Sequence, residues 1–422
     1  MMLKKNIRLV FFIPGRKTGG TNTLFEALIK YIHGVRPEVD IAVVDYKDGY
    51  VASSLLNFSN KIKILDWNYD INIDDNDIMI SDFLSAKNLL YKKIKISESA
   101  KLFFWVTHPD DIFKWIPTFN LTLKNSNWLR QLHINALHSK YKHRLCSFVN
   151  HASKKNSLKF MDNFCIEKYK EIFSVSVENA SILPVFTLDN NKISKKYDNT
   201  NKRSNTIDFY WLGRVSDFKT ATIISIAYDL SRFNERLNSV KAVFHIIGDG
   251  KDLGFIRRKL SSINNLSTHY YGTLNISEIR YMLESNSGIM IGHGISILEG
   301  ARAKYPCIIA DGIGFKNKKL LYRRLIDEEK YGVGRIVKNN IELKGEKLEE
   351  IINQIINENE VGMKEYKRWK KQHSIKSISE DFLSNISDDK NLLSAKDFNS
   401  YNLDRGGFFE NLIISFKAKR QS

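Results

Sequence analysis

An apolar run, Ile207 to Leu212, ends in Gly213-Arg214, and Lys219 follows five residues later. Such a run closed by glycine and a fixed cation reads as a buried strand with charge at its carboxyl end. Ligands of open α/β sheets sit outside the carboxyl ends of strands. Two cations there could neutralise the charge growing on a leaving diphosphate; solvated surface cations are the other use of the same residues. A second constellation follows the apolar triplet Ile289 to Ile291: Gly292-His293-Gly294-Ile295-Ser296-Ile297-Leu298-Glu299-Gly300-Ala301. It reads as strand, glycine turn and helix start. Paired glycines let a ligand approach the backbone, and a carboxylate one turn into the helix could accept hydrogen bonds from ribose hydroxyls. Ser296-x-x-Glu299 also has capping-box spacing, in which Glu299 merely closes the helix N-terminus. Taken alone, the pattern favours the cap.

Three weaker constellations accompany these. Pro14-Gly15-Arg16-Lys17-Thr18-Gly19-Gly20 lies between an apolar run, Ile7 to Ile13, and residues Leu24, Leu28 and Ile32 at helical spacing. Glycines before a helix N-terminus suit an anion, although the spacing is neither G-x-G-x-x-G nor a Walker loop. Thr107-His108-Pro109-Asp110-Asp111 follows the Leu102 to Val106 strand, which makes His108 a candidate substrate ligand or a structural loop histidine. Near the end, Phe408, Phe409, Leu412 and Ile413 precede Lys417, Lys419 and Arg420. That segment either docks on an anionic bilayer or packs on the body of the protein.

The elements that position these residues alternate. Strands are expected at 7–13, 40–44, 62–65, 77–81 and 102–106, with a helix at about 22–33. The pattern restarts with strands at 207–212, 242–247, 269–271, 289–291 and 307–310, and helices at 219–230, 253–260, 277–283 and 295–303. Strands alternating with helices imply parallel sheets. The polar stretch from Thr187 to Asn205 has no period and reads as a connection or exposed loop. The expected division is 1–186 as an N-terminal unit, 187–206 as linker, 207–375 as a second unit and 376–422 as a charged helical tail.

Composition narrows the class of partner. The 422 residues are 43% hydrophobic and 27% charged, a globular balance, with a net charge of +18 and a pI of about 9.5. A basic excess of that size implies an anionic partner, whether nucleic acid, membrane surface or phosphorylated small molecule. The three cysteines, Cys146, Cys165 and Cys307, form no C-x-x-C pair and read as reduced structural thiols. No signal peptide is read at the start, since the apolar run Leu9 to Ile13 is too short. No apolar run reaches the ~18 residues of a spanning helix.

The order of these pieces resembles the retaining GT-B glycosyltransferases of the family-four type, which include many bacterial capsule and O-antigen (lipopolysaccharide) enzymes. That family carries an early glycine-rich loop, a histidine ending a later N-domain strand and a G-R-x-x-x-x-K element, here Gly213-Arg214 to Lys219. A strand ending in G-D-G follows (Gly248 to Gly250), then a short strand ending in glycine (Tyr271-Gly272). Last comes a segment like E-G-x-G-x-x-x-x-E-A, here from Ile291 through Gly292, Gly294 and Glu299. The likeness is strong from about Asp208 to Asp311, lighter from Leu9 to Gly20 and around His108, and weak elsewhere. One departure stands out: the first of the family's two glutamates, near the donor sugar, is Ile291 here. His293 could substitute for it in part.

The resemblance implies an α/β GT-B fold, two Rossmann-like domains with parallel sheets facing a cleft. It implies a glycosyltransferase moving a sugar from a nucleotide diphosphate sugar to a hydroxyl of a lipid-linked or oligosaccharide acceptor. Arg214, Lys219 and His108 form the expected catalytic set. Gly19, Gly20, Gly213, Gly248, Gly292, His293, Gly294, Ser296 and Glu299 form the expected donor-binding set, with Glu299 on the ribose. No cofactor and no metal are expected, since no D-x-D motif stands where one is needed. The expected location is cytoplasmic, peripheral on the inner face of the cell membrane. Rival classes are a dinucleotide oxidoreductase, which lacks its glycine fingerprint, and a nucleic-acid-binding protein, which lacks any recognition motif. A non-catalytic transferase-like protein is the third, kept open by Ile291.

Overall fold

The computed structural model describes residues 7–16, 19–58, 61–91, 94–116, 139–173, 176–189, 205–236, 240–313, 320–337 and 343–404. The chain divides into two compact units, Met1–Val185 with Ile378–Ser422, and Phe186–Ser377.

The strands of the first unit are β1 (Arg8–Phe12), β2 (Asp40–Asp45), β3 (Ile62–Asp66), β4 (Ile71–Ile73), β5 (Asp77–Asp82), β6 (Ile94–Ile96), β7 (Lys101–Val106), β8 (Leu158–Phe160) and β9 (Ser181–Ile182). Its main sheet runs β3-β2-β1-β5-β7-β8-β9, parallel throughout. The order reverses direction between β1 and β5, the switch point at which such sheets bind ligands. Both faces are apolar because both are covered. On one, Phe11, Phe25, Phe103 and Phe382 pack edge to face or stacked. On the other, Val10, Phe12, Phe104, Phe148 and Phe398 share a core.

The C-terminal segment, expected as a helical tail, belongs to this first unit as far as Asp404. Phe382 covers one face of the sheet, Phe398 enters the core of the other, and the short strand Leu393–Ser394 pairs antiparallel with β7. The cluster from Phe408 to Arg420 lies outside the described residues.

The second unit contains β10 (Thr206–Leu212), β11 (Lys241–Ile247), β12 (Ser267–Gly272), β13 (Ile289–Gly292), β14 (Cys307–Ala310), β15 (Gly312–Ile313), β16 (Tyr322–Arg324) and β17 (Ile336–Val337). Its sheet runs β12-β11-β10-β13-β14-β16, with only β16 antiparallel. The switch point lies between β10 and β13. Phe209 and Trp211 alternate inward with Phe244, Ile246 and Ile291 to form its core. Thr187, expected in the loop, is buried and accepts the indole N–H of Trp369 at 2.7 Å; residues 190–204 lie outside the described set. All three cysteines are buried and unpaired. No helix among the described residues is long and apolar enough to cross a membrane.

Candidate active site

In the second unit, the carboxyl ends of β10, β11 and β12 are joined through their backbones. Gly213 N–H donates to Ile247 O at 2.9 Å and Gly248 N–H to Gly272 O at 2.7 Å. Gly248 has φ +137°, and a Cβ on it would lie 2.1 Å from the carbonyl oxygen of Gly213. Its glycine character thus serves close backbone approach between the two strand ends.

Gly213 itself has φ +148°, and its missing Cβ leaves space in front of Lys219. The ammonium Nζ of Lys219 would lie 3.1 Å from that Cβ, and the indole Nε1 of Trp211 3.8 Å from it. Lys219 sits in the first turn of the helix Phe218–Arg236. Among the described residues no carboxylate pairs with it. Burial, and then the charge of Arg214, press its pKa down to about 8. Arg214 is exposed. Two cations are therefore held near each other at the end of β10; Asp217 lies close enough to Arg214 to feel its charge, and Lys219 has no carboxylate partner among the described residues.

The neighbouring strand β13 delivers Gly292, His293 and Gly294 to the same edge. His293 is buried, and its Nδ1 lies 2.9 Å from the carbonyl oxygen of Ala310. A carbonyl only accepts, so Nδ1 carries the proton and Nε2 a lone pair. Burial, reinforced by the charge of Lys219, pushes the imidazole down to about 4, so it is neutral at ordinary pH. Trp211 lies edge-on to the imidazole, ring centroids 5.7 Å apart, and Phe218 lies at the same centroid distance. A Cβ on Gly334 would lie 2.7 Å from His293 Cβ, so glycine at that position is what lets the histidine seat.

The capping box read at Ser296-x-x-Glu299 does not form. Gly294, with φ +71°, is the N-cap, and the helix Ile295–Arg302 starts one residue before Ser296. The Ser296 hydroxyl instead donates to His293 O at 2.8 Å. Glu299 is buried and accepts from Arg302 Nε at 2.8 Å, with Arg280 at 3.6 Å. Its carboxylate is part of an ion-pair cluster with the fully buried Arg302, which also reaches Glu284 at 3.4 Å. Ile291 is fully buried in the apolar core, where an ionised carboxylate would be desolvated.

Next to this edge, Asp311 is fully buried and accepts from Arg323 at 2.9 Å and Arg335 at 3.2 Å. Burial pushes its carboxyl up, but the hydrogen bonds and charges of the two arginines outweigh that and leave it below the ordinary range. Neither this cluster nor Trp211 was legible as site structure in the sequence. The only available signal for Trp211 was the two-residue alternation from Phe209, which equally marks a core position.

In the first unit, the glycine loop and His108 meet at one sheet edge: the hydroxyls of Thr21 and Thr107 are 3.1 Å apart. Gly19 is the N-cap of the helix Gly20–Val35, and a Cβ on it would meet nothing within 4 Å. The buried Asp45 holds the start of the loop by accepting the N–H of Gly15 at 2.8 Å, and also those of Tyr46 and Ala52. His108 Nδ1 accepts from Asp110 N–H and its own N–H donates to Asp111, both at 3.1 Å. Asp111 is pushed up to about 7 by burial and by the charge of Asp82.

No family model matches the chain, and no curated protein matches it in sequence. Its fold is found among solved structures. A glycosyltransferase from Rickettsia africae matches with a TM-score of 0.53 at 12% identity, covering 91% of this chain and 98% of that one. HepE of Anabaena, solved in complex with UDP-glucose, matches at 0.54 and 11% identity over 90% and 100%. WaaG, a glycosyltransferase involved in lipopolysaccharide biosynthesis, matches at 0.51 and 13% identity over 90% and 98%. Two parallel Rossmann-like units with these likenesses define the GT-B fold. At such identities the likeness is one of fold.

Proposed function

We propose that the chain is a glycosyltransferase that moves a sugar from a nucleotide diphosphate sugar to a hydroxyl of a lipid-linked glycan, in the making of a bacterial surface polysaccharide. The observation that carries the reading is the pair Arg214 and Lys219 at the switch point of the second unit, with Lys219 paired to no carboxylate among the described residues. Charges so placed are preorganised for a diphosphate, whose negative charge grows as it leaves. With retention, the bond from the anomeric carbon to the β-phosphate oxygen breaks as the acceptor oxygen bonds on the same face. The acceptor proton passes to the leaving phosphate oxygen. Gly213, Gly292, Gly294 and Ser296 line the backbone approach to the donor, and Gly19, Gly20 and His108 serve the other substrate or the far side of the donor. The basic net charge of +18 suits attachment to the anionic inner face of the cell membrane, where a lipid-linked acceptor resides.

The test is donor turnover with a panel of nucleotide sugars, followed for Arg214→Ala and Lys219→Ala. Each variant should keep its fold and lose at least about 100-fold in kcat, because the charge is needed most in the transition state. Near-normal turnover in both would sink the assignment.

A further inference from the structure

A chain of polar side chains crosses the sheet of the second unit on the face opposite to Phe209, Trp211, Phe244 and Ile246. His245 of β11 is its centre and is buried. Its Nε2 lies 2.9 Å from Asp208 Oδ1 on β10, and its Nδ1 2.8 Å from the Tyr271 hydroxyl on β12. The carboxylate oxygen accepts, so Nε2 carries the proton and Nδ1 takes the O–H of Tyr271. Burial and the charge of Asp208 push the phenol up, which keeps it protonated and donating. The register partners of His245 flank it as stacked rings, Tyr210 with centroids 4.6 Å apart and His269 5.0 Å. Apolar residues would be enough to cover a sheet face. A carboxylate, an imidazole and a phenol in hydrogen-bond series instead fix one arrangement of three strands.

What the chain holds lies one residue further on. The register of β11 with β12 shifts between Ile246, which faces Tyr270, and Ile247, which faces Gly272. Tyr271 is the extra residue of this bulge, and its bond to His245 anchors it. The next residue, Gly272, has φ +65° and accepts Gly248 N–H at 2.7 Å. Gly248 has no room for a Cβ against the Gly213 carbonyl, and Gly213 borders the ammonium of Lys219. A displacement of the bulge therefore passes along tight backbone contacts, with no flexible side chain to absorb it.

We propose that Asp208, His245 and Tyr271 are positioning residues for the diphosphate site: they hold the bulge at Tyr271 and, through Gly272 and Gly248, set the backbone of Gly213 in front of Lys219. None of the three has to touch the ligand. The proposal rests on the glycosyltransferase reading above and adds to it side chains in the middle of the sheet. The attraction between an ammonium and a phosphate falls with distance, so a small shift of the strand ends costs affinity without unfolding the unit.

The experiment uses the full chain. Tyr271→Phe removes only the hydroxyl. His245→Phe keeps a ring between Tyr210 and His269 and removes both nitrogens. Both should melt within a few degrees of the parent; Tyr271 is 39% exposed, so its variant decides alone if the one at the buried His245 does not fold. Hydrogen exchange should find the Gly248 N–H about tenfold less protected in each variant. In calorimetric titration with UDP, GDP, CDP, ADP and dTDP, each should bind the diphosphate that the parent binds about tenfold more weakly. In a Lys219→Met background the same substitutions should change affinity by less than about twofold, because their effect runs through the ammonium. Unchanged protection of Gly248, unchanged affinity, or the same loss with and without Lys219 would overturn the positioning role while leaving the transferase reading intact. A parent chain that binds none of the five diphosphates would overturn the transferase reading, and the positioning role with it.

Discussion

The proposed donor site predicts that Lys219 couples nucleotide binding to a proton. Its pKa is about 8 against an ordinary 10.5, because burial and the charge of Arg214 disfavour the ammonium. A bound diphosphate supplies the missing anion and draws the pKa back toward the ordinary value. At pH 8 the free lysine is about half protonated, so binding takes up as much as about 0.5 proton; at pH 9 the uptake rises to about 0.9, and at pH 7 it falls to about 0.1. The sign follows from linkage. The bound state holds more protons, so affinity falls as pH rises above 8, by up to about tenfold per unit. Calorimetry in two buffers of different ionisation enthalpy reads the proton count directly. Arg214→Gln removes the like charge and should move the onset to higher pH, and Lys219→Met should abolish the uptake. Stability of the free protein has the opposite dependence. The unfolded chain binds the extra proton between the folded pKa of about 8 and 10.5, so stability rises with pH across that window. No proton uptake at pH 9, or the same uptake in Lys219→Met, would refute the placement of Lys219 as an unneutralised cation.

Three further expectations follow from the packing. Glu299→Leu should destabilise the fold by about 3–5 kcal/mol in denaturant titration, since it strips the buried Arg302 of its 2.8 Å partner. Glu299→Leu combined with Arg302→Met should recover most of that loss, and an unperturbed single variant would mean that the ion pair is not formed. Asp45→Ala removes a buried acceptor of three backbone N–H groups; it should cost about 2–3 kcal/mol and abolish the hydrogen-exchange protection of Gly15. For the membrane, the full chain and a chain ending at Asp404 should both sediment with anionic liposomes at low salt. That end point keeps Leu403, which is buried, and the 2.9 Å bond from Arg144 to Asn402 O. Binding by neither chain removes the peripheral attachment, and binding by the full chain alone assigns it to the segment from Phe408 to Arg420.

The sequence by itself determined most of the local elements and their order in the second unit. The strand expected at 307–310 is Cys307–Ala310, and those expected at 207–212 and 242–247 are Thr206–Leu212 and Lys241–Ile247. These depend on apolar runs and helical periods within a few residues, which short-range sterics and burial set. The helix expected at 219–230 continues to Arg236, because packing against the sheet rewards an extension that periodicity alone does not demand. Glycines at strand ends were legible as places of close approach, but not what approaches. Only the fold brings the Gly213 carbonyl against Gly248. The capping box at Ser296 failed for the same reason. Its spacing was right, yet the φ of Gly294 starts the helix one residue before Ser296, and Arg302 and Arg280 claim the carboxylate of Glu299. Tertiary structure also decided that Phe382, Leu393 and Phe398 complete the core of the first unit, and that Tyr322–Arg324 pairs antiparallel at the sheet edge. It decided, too, that the indole nitrogen of Trp211 and the ammonium of Lys219 border the space that Gly213 leaves open. Each of these joins residues distant in sequence or depends on which way a side chain faces. Neither is written in local composition, because both arise when distant segments exclude water from the same surface.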